Sequence, residues 1–197
     1  MYSFRKMTKA ERKEAIAYRL AMKHPLHAPP HFDDCARTYL LSGANYMHER
    51  IMGEADRQKE FQDKLLCQMA NKVDAEVFAW CVLPNHWHLL ARVDLGPAAK
   101  AIGRLHNGTA TQWNREDARP GRKVWHRFSD RRIRNAAHYW ATVNYIHANP
   151  VHHKCSARAD DWEASSLYSY MNELGRAKMV ELWELYPVLD YGKGWDD

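Results

Sequence analysis

The sequence has no Cys-x-x-Cys pair, and its four cysteines, Cys35, Cys67, Cys81 and Cys155, are scattered along 197 residues. This scatter argues against a zinc knuckle and against a disulfide framework. Reduced thiols are typical of a cytosolic protein. The chain also lacks an apolar run long enough to cross a bilayer, and its charged start, MYSFRKMTKAERKEA, is unlike a signal peptide. We therefore expect a soluble, cytoplasmic protein that does not act at a membrane.

Internal repeats, low-complexity segments and the charge excess of a disordered chain are also lacking. Hydrophobic residues make up 46% of the chain and charged residues 27%, as in ordinary globular proteins. A chain of this length predicts one folded domain with appendages. We assign residues 1–34 to a helical arm and a proline-rich linker, residues 35–155 to the main domain, and residues 156–197 to an acidic tail.

The net charge of +5 is unevenly distributed. Residues 100–134 contain ten Lys and Arg against three Asp and Glu, whereas residues 156–197 contain four against nine. A basic central segment favours a polyanion such as DNA as partner, while a solvated helix face is an equally good interpretation of the basic residues alone. The candidate phosphate contacts are Arg104, Arg115, Arg122, Lys123, Arg127, Arg131, Arg132 and Arg134.

Hydrophobic periodicity predicts strands over residues 37–46, 73–83, 86–93 and 124–128, and helices over residues 53–70 and 97–113. A further helix begins after Asn135, which we expect to be its N-cap, and ends at Pro150. This order of elements predicts an α+β fold, namely a ferredoxin-like split βαβ sandwich with an antiparallel sheet and helices on one face.

Two histidines, His86 and His88, are two residues apart within CVLPNHWHLLARV. On a β-strand, both imidazoles leave the same face, while Trp87 points to the other face. Two imidazoles on one rigid strand could hold one metal ion. Because such pairs are more often ordinary surface or core residues, the spacing alone is a weak motif.

A second pair, Tyr145 and Asn149, is four residues apart within VNYIHANPV, which puts both side chains on one helical face. If this face meets the strand, Asn149 would complete a metal site of two imidazoles and one oxygen beside the Tyr145 hydroxyl. Such a site suits phosphodiester chemistry. Taken singly, a core tyrosine and an asparagine at a helix end are the ordinary interpretations. We do not assign the nearby His147, His152 and His153 as ligands.

The segments LPNHWHLL, VWHRFSDRRIRN and NYIHANPVHH occur in this order. Together they resemble the REP-associated tyrosine transposases, a group of the single-tyrosine HUH transposases, where REP stands for repetitive extragenic palindrome. The resemblance covers about residues 37–170 and implies a ferredoxin-like fold. It also implies a nucleophilic Tyr145, with Mg²⁺ or Mn²⁺ held by His86, His88 and Asn149. The implied substrate is single-stranded DNA beside a folded-back hairpin, and Tyr145 would take its 5′ phosphate.

The first hypothesis is therefore a metal-dependent endonuclease and strand transferase that acts through a covalent 5′-phosphotyrosine. A catalytically inactive DNA-binding protein of the same fold and a zinc-containing interaction module are the alternatives. Three tryptophans are open to two interpretations, as core residues or as platforms for unpaired bases: Trp87, Trp113 and Trp125. The sequence leaves open whether the protein acts as a monomer or as a homodimer.

Overall fold

A computed structural model describes Thr8 and residues 37–192. The predicted N-terminal helix and proline-rich linker therefore lie outside the described residues, Thr8 apart. Within the described ranges, no helix is both long enough and apolar enough to span a bilayer. Among the described residues, Cys67, Cys81 and Cys155 are free thiols.

The described chain alternates strands and helices before ending in a helical segment. The strands are β1 (Arg37–Ala44), β2 (Glu76–Val82), β3 (His86–Val93) and β4 (Ser129–Arg132). The helices are α1 (Ala55–Val73), α2 (Leu95–Glu116), α3 (Ala136–His152), α4 (Leu167–Leu174) and α5 (Arg176–Leu185). Short 3-10 turns cover Tyr46–His48 and Ala159–Asp161.

The four strands form one antiparallel sheet in the order β2-β3-β1-β4. The central strands β1 and β3 pair along their whole lengths, with Leu40 opposite Leu90 and Ser42 opposite His88. Helix α1 connects β1 to β2, and α2 connects β3 to β4. This is the split βαβ arrangement, so the predicted α+β fold class is confirmed.

One face of the sheet packs against α1 and α2. Leu41 of β1 and Leu89 of β3 lie on this face, in a core that also contains Phe61 and Leu65 of α1 and Ile102 of α2. The side chains alternate along each strand, so every second residue of β1 and β3 contributes to this core. The larger apolar core of the protein therefore lies on this side of the sheet.

Helix α3 covers the opposite face. Leu40 and Leu90 pack there against Ile146, and residues 142–147 of α3 are all buried. On its outer side, Asn144 donates a hydrogen bond to the Leu182 carbonyl of α5, at 2.9 Å. The prediction of helices on one face holds for α1 and α2 but is wrong for α3, because that helix is apolar enough to be enclosed between the sheet and α5.

The fourth strand begins further along the chain than the sequence predicts. Val124 and Trp125, within the predicted strand, are 2% and 8% exposed because they fill the larger core. Trp125 makes only an isolated bridge with Asn45, and regular pairing with β1 starts at Ser129. A short apolar run can be a strand or a core-filling segment, and periodicity does not distinguish the two.

Helix α3 begins where the sequence predicts and ends later. The side chain of Asn135 accepts a hydrogen bond from the backbone N–H of His138 at 2.8 Å, so its role as N-cap is confirmed. The helix continues past Pro150 to His152. Proline lacks its own N–H and crowds only the preceding turn, so the residues after it can stay helical.

The tryptophans predicted as either core residues or stacking platforms are core residues. Trp87 and Trp113 are 0% exposed and surround Phe61 together with Trp125. Nε1 of Trp87 donates to Nε2 of His106 at 3.2 Å, and the His106 ring stacks on Trp125 with centroids 4.2 Å apart. Bases of a nucleic acid cannot reach these rings.

Gly43 of β1 is constrained by the Trp87 ring. A Cβ at position 43 would lie 2.5 Å from Nε1 of Trp87, and this fully buried ring has no room to move. We expect Gly43→Ala to lower the free energy of unfolding by about 1–3 kcal/mol, measured by urea denaturation. As the control, Gly108→Ala in α2 adds a Cβ that meets no atom within 4 Å. It should raise that free energy by up to about 1 kcal/mol. Similar effects of both variants would contradict this account.

His106 makes the core sensitive to acid. Burial lowers its pKa to about 3, whereas an unfolded histidine has a pKa near 6.5. The unfolded chain thus binds more protons between these values, so stability is lost as the pH falls through this window. We expect His106→Gln, which keeps an acceptor for Trp87, to reduce the slope of unfolding free energy against pH by about 1.4 kcal/mol per unit. Urea denaturation between about pH 5.5 and 4.5 measures this slope. An unchanged slope would exclude His106 as the source.

Candidate active site

Strand β3 places two imidazoles on the sheet face that α3 covers. His86 and His88 flank Trp87, whose side chain lies in the core on the opposite face. The two histidines are 1% and 0% exposed, and their ring centroids are 5.1 Å apart. The strand therefore presents both imidazoles on one side, as their spacing predicts.

Helix α3 brings Tyr145 and Asn149 against this pair. These two residues are one turn apart on the same helical face, and both are buried. The Tyr145 hydroxyl lies 3.4 Å from Nε2 of His88. The side-chain oxygen of Asn149 lies 3.2 Å from Nε2 of His86. The structure thus brings together all four side chains that the sequence singles out.

Two residues that the sequence analysis missed contact the other side of each imidazole. Oδ1 of Asn85 lies 2.8 Å from Nδ1 of His86, and Oγ of Ser42 lies 2.7 Å from Nδ1 of His88. The signal for Asn85 was its position next to His86. Ser42 had no signal, because its place beside His88 depends on the register of β1 against β3.

The Asn85 side chain orients the His86 ring. An amide oxygen only accepts hydrogen bonds, so Nδ1 of His86 donates to the Asn85 oxygen. The Asn149 side chain is oriented by its own nitrogen, which donates to the Tyr145 carbonyl oxygen at 2.8 Å. Nε2 of His86 and Oδ1 of Asn149 therefore face each other at 3.2 Å.

The atoms that meet here, an imidazole nitrogen and an amide oxygen, are of the kinds that bind divalent cations. Imidazole nitrogen and amide oxygen are ligands of divalent ions such as Mn²⁺ and Zn²⁺. His86, His88 and Asn149 therefore fit a site with three protein ligands and open positions for substrate. Across Thr8 and residues 37–192, no three His, Cys, Asp or Glu side chains converge on a metal position. The neutral amide of Asn149 would thus have to be the third ligand.

Of the three nearby histidines not assigned as ligands, one lies at the site. The His153 ring packs edge-on against His86, with centroids 4.7 Å apart. His147 is oriented differently, with Nε2 2.8 Å from Oγ of Ser166, and burial lowers its pKa to about 3. His152 is exposed. The sequence did not separate His152 from His153, because the helix end between them changes the direction of the second side chain.

The end of the described chain covers Tyr145. The Tyr191 ring packs edge-on against the Tyr145 ring, with centroids 5.5 Å apart. A Cβ on Gly192 would lie 2.1 Å from Cε2 of Tyr145, so this position requires glycine. Tyr145 is consequently 4% exposed. The sequence contained no signal for this contact between distant segments.

The eight predicted phosphate contacts do not form one surface. Arg104 and Arg115 lie on α2, across the sheet from the histidine pair. Arg122 is 10% exposed and forms an ion pair with Asp117 at 2.7 Å, which ties the following loop to α2. Lys123 places its ammonium over the Tyr46 ring, and Arg127 is exposed in the same loop. These residues lie apart from α3.

Of the remaining three, Arg131 lies closest to the site, whereas Arg132 is opposite Tyr39, on the sheet face toward α1 and α2. Arg131 is opposite Leu40 in the sheet, on the face that carries His88. Burial lowers the pKa of Arg131, and attraction to Tyr191 and Tyr145 partly opposes this effect. A cation therefore lies near the Tyr145 ring. Arg132 and Arg134 flank the groove at the start of α3.

Comparison with known proteins bears on the fold. No protein-family profile matches the sequence, and no curated protein matches it. Among solved structures, the chain is similar to a REP-associated tyrosine transposase bound to a REP hairpin. The TM-score is 0.59 at 19% identity, over 82% of this chain and 88% of that chain. The resemblance found in the sequence is thereby confirmed at the level of the fold.

Proposed function

We propose that this protein is a REP-associated tyrosine transposase of the HUH type, a metal-dependent endonuclease and strand transferase for single-stranded DNA beside a hairpin. One observation carries the proposal. The Tyr145 hydroxyl lies 3.4 Å from Nε2 of His88, within a buried set of ligands that fits a divalent cation. The solved transposase with the same fold is bound to a REP hairpin, which supports hairpin DNA as the substrate.

In the proposed reaction, Tyr145 attacks the scissile phosphate. A bond forms between the Tyr145 oxygen and phosphorus, and the bond from phosphorus to the 3′ oxygen breaks. Tyr145 loses its proton and the departing 3′ oxygen gains one, so the step is balanced. The product is a 5′-phosphotyrosine, and reversal by a different 3′ hydroxyl would join two strands without an external energy source.

Other side chains of the site would hold the metal ion and stabilise charge. His86, His88 and Asn149 would hold Mg²⁺ or Mn²⁺, and a bound ion supplies positive charge to a non-bridging phosphate oxygen. An ordinary tyrosine has a pKa near 10 and is a weak nucleophile at neutral pH. The nearby cation of Arg131 would help to stabilise the negative charge that develops at Tyr145.

Hairpin binding without cleavage is a second candidate function. It is favoured by the cover on Tyr145, where Tyr191 and Gly192 contact the ring. DNA can reach the hydroxyl only if these two residues move. If they stay in place, the same fold would bind DNA and leave it intact.

Replacement of the nucleophile separates the two candidates. Tyr145→Phe removes only the hydroxyl, so it should abolish covalent adducts with labelled hairpin DNA while hairpin affinity changes less than about twofold. Denaturing gels detect the adduct, and fluorescence anisotropy measures binding. Tyr170→Phe is the matched control, because its hydroxyl contacts Tyr139 away from the ligand set, and it should keep the adduct. Adducts that persist in Tyr145→Phe would remove Tyr145 from the role, and a wild type without adducts would favour binding alone.

Metal binding can be tested without activity. A ligand that binds the folded state at about 100 times its Kd stabilises it by about 2.7 kcal/mol, so Mn²⁺ should raise the thermal midpoint of the wild type. His86→Ala and Asn149→Ala should lose this shift, while Asn149→Asp should keep it because a carboxylate also ligates Mn²⁺. His152→Ala, which removes an exposed histidine, is the control. A Mn²⁺ shift that survives in both alanine variants would place the ion elsewhere.

A further inference from the structure

We propose that a groove at the start of α3 holds the phosphodiester backbone of the same DNA strand that Tyr145 cleaves. Four arginines line it, and we call it the arginine groove: Arg37, Arg92, Arg132 and Arg134. The inference rests on the proposed function, because it names a second contact with the proposed substrate. Two of these arginines, Arg37 and Arg92, are not among the phosphate contacts that the sequence predicts.

Four separate segments build the arginine groove. Arg37 begins β1, Arg92 lies near the end of β3, Arg132 ends β4, and Arg134 lies in the connection to α3. The groove encloses about 510 Å³ and is open to solvent. An open groove of this kind fits an extended polyanion better than a small enclosed anion.

The positive charge in the groove is only partly neutralised. Arg92 forms an ion pair with Glu76 across β2 and β3. Within residues 37–192, no carboxylate forms an ion pair with Arg37, Arg132 or Arg134. Three arginines that line one groove without a carboxylate partner raise the local positive potential, and phosphate oxygens match the guanidinium geometry.

The arginine groove and Tyr145 lie along the same helix. Ala136 lines the groove, and Tyr145 follows it by nine residues in α3, a distance of about 13 Å along the helix axis. One strand of DNA advances about 3.4 Å per stacked nucleotide. The groove would therefore contact phosphates about four nucleotides from the cleaved bond.

Salt dependence of binding tests the charge contacts. In a Tyr145→Phe background, which should bind without cleavage, the triple variant R37Q/R132Q/R134Q should reduce the slope of log affinity against log salt by roughly two to three. Its affinity for hairpin DNA with a 5′ single-stranded flank should fall by roughly 100-fold at about 0.1 M salt. The control is K59Q/K72Q/K100Q, which removes three exposed cations from α1 and α2, outside the groove. An equal loss of slope in both triple variants would overturn the proposal.

A gain of affinity is the complementary test. Glu76→Gln releases Arg92 from its ion pair, so it should steepen the salt slope by roughly one and tighten binding. This result does not depend on whether the triple variant folds. Weaker or unchanged binding by Glu76→Gln would remove Arg92 from the groove's contacts.

The position of the contact is tested by neutral phosphate substitution. A methylphosphonate about four nucleotides from the cleavage site should weaken binding of the Tyr145→Phe protein by roughly tenfold and should have no further effect on the triple variant. An additive effect would overturn the assignment of that phosphate to the groove.

Adducts at Tyr145 with an unchanged salt slope would reject the groove and keep the proposed function. A reduced slope without wild-type adducts would keep the groove as a DNA site and reject the nuclease.

Discussion

The contact between β3 and α3 is the interaction on which the site depends. It brings Nε2 of His86 to 3.2 Å from the side-chain oxygen of Asn149. It also brings Nε2 of His88 to 3.4 Å from the Tyr145 hydroxyl. Each partner lies on a regular element, where packing restricts the side-chain rotamers more than it would in a loop. Since α3 covers its own sheet face, the site is enclosed on one side by strands and on the other by a helix.

Burial of the polar side chains in this site costs free energy, and hydrogen bonds from neighbouring residues offset that cost. Burying an unpaired polar group costs about 1–3 kcal/mol, and His86, His88 and Asn149 are all buried. Asn85, Ser42 and the Tyr145 carbonyl provide partners on the sides away from the ligand space. Two of these partners, Asn85 and the Tyr145 carbonyl, also orient Nε2 of His86 and Oδ1 of Asn149 toward each other.

The two faces of the sheet differ in chemical character. The face toward α1 and α2 contains Trp87, Trp113 and the neutral ring of His106, which pack into a core that excludes solvent. The face toward α3 carries the imidazoles and the half-buried Arg131. Alternation along β3 assigns successive residues to these two environments, so one strand contributes both to stability and to the proposed chemistry.

The sequence by itself determined the local features. Spacing placed His86 with His88 and Tyr145 with Asn149, and polar residues at helix starts indicated the Asn135 cap, because periodicity and capping depend on neighbours in the chain. Only the tertiary structure decided that α3 lies on the second face, that residues 124–125 fill the core, that Ser42 meets His88, and that Tyr191 covers Tyr145. These contacts join distant segments through strand register and helix packing, and both depend on the summed burial of many side chains.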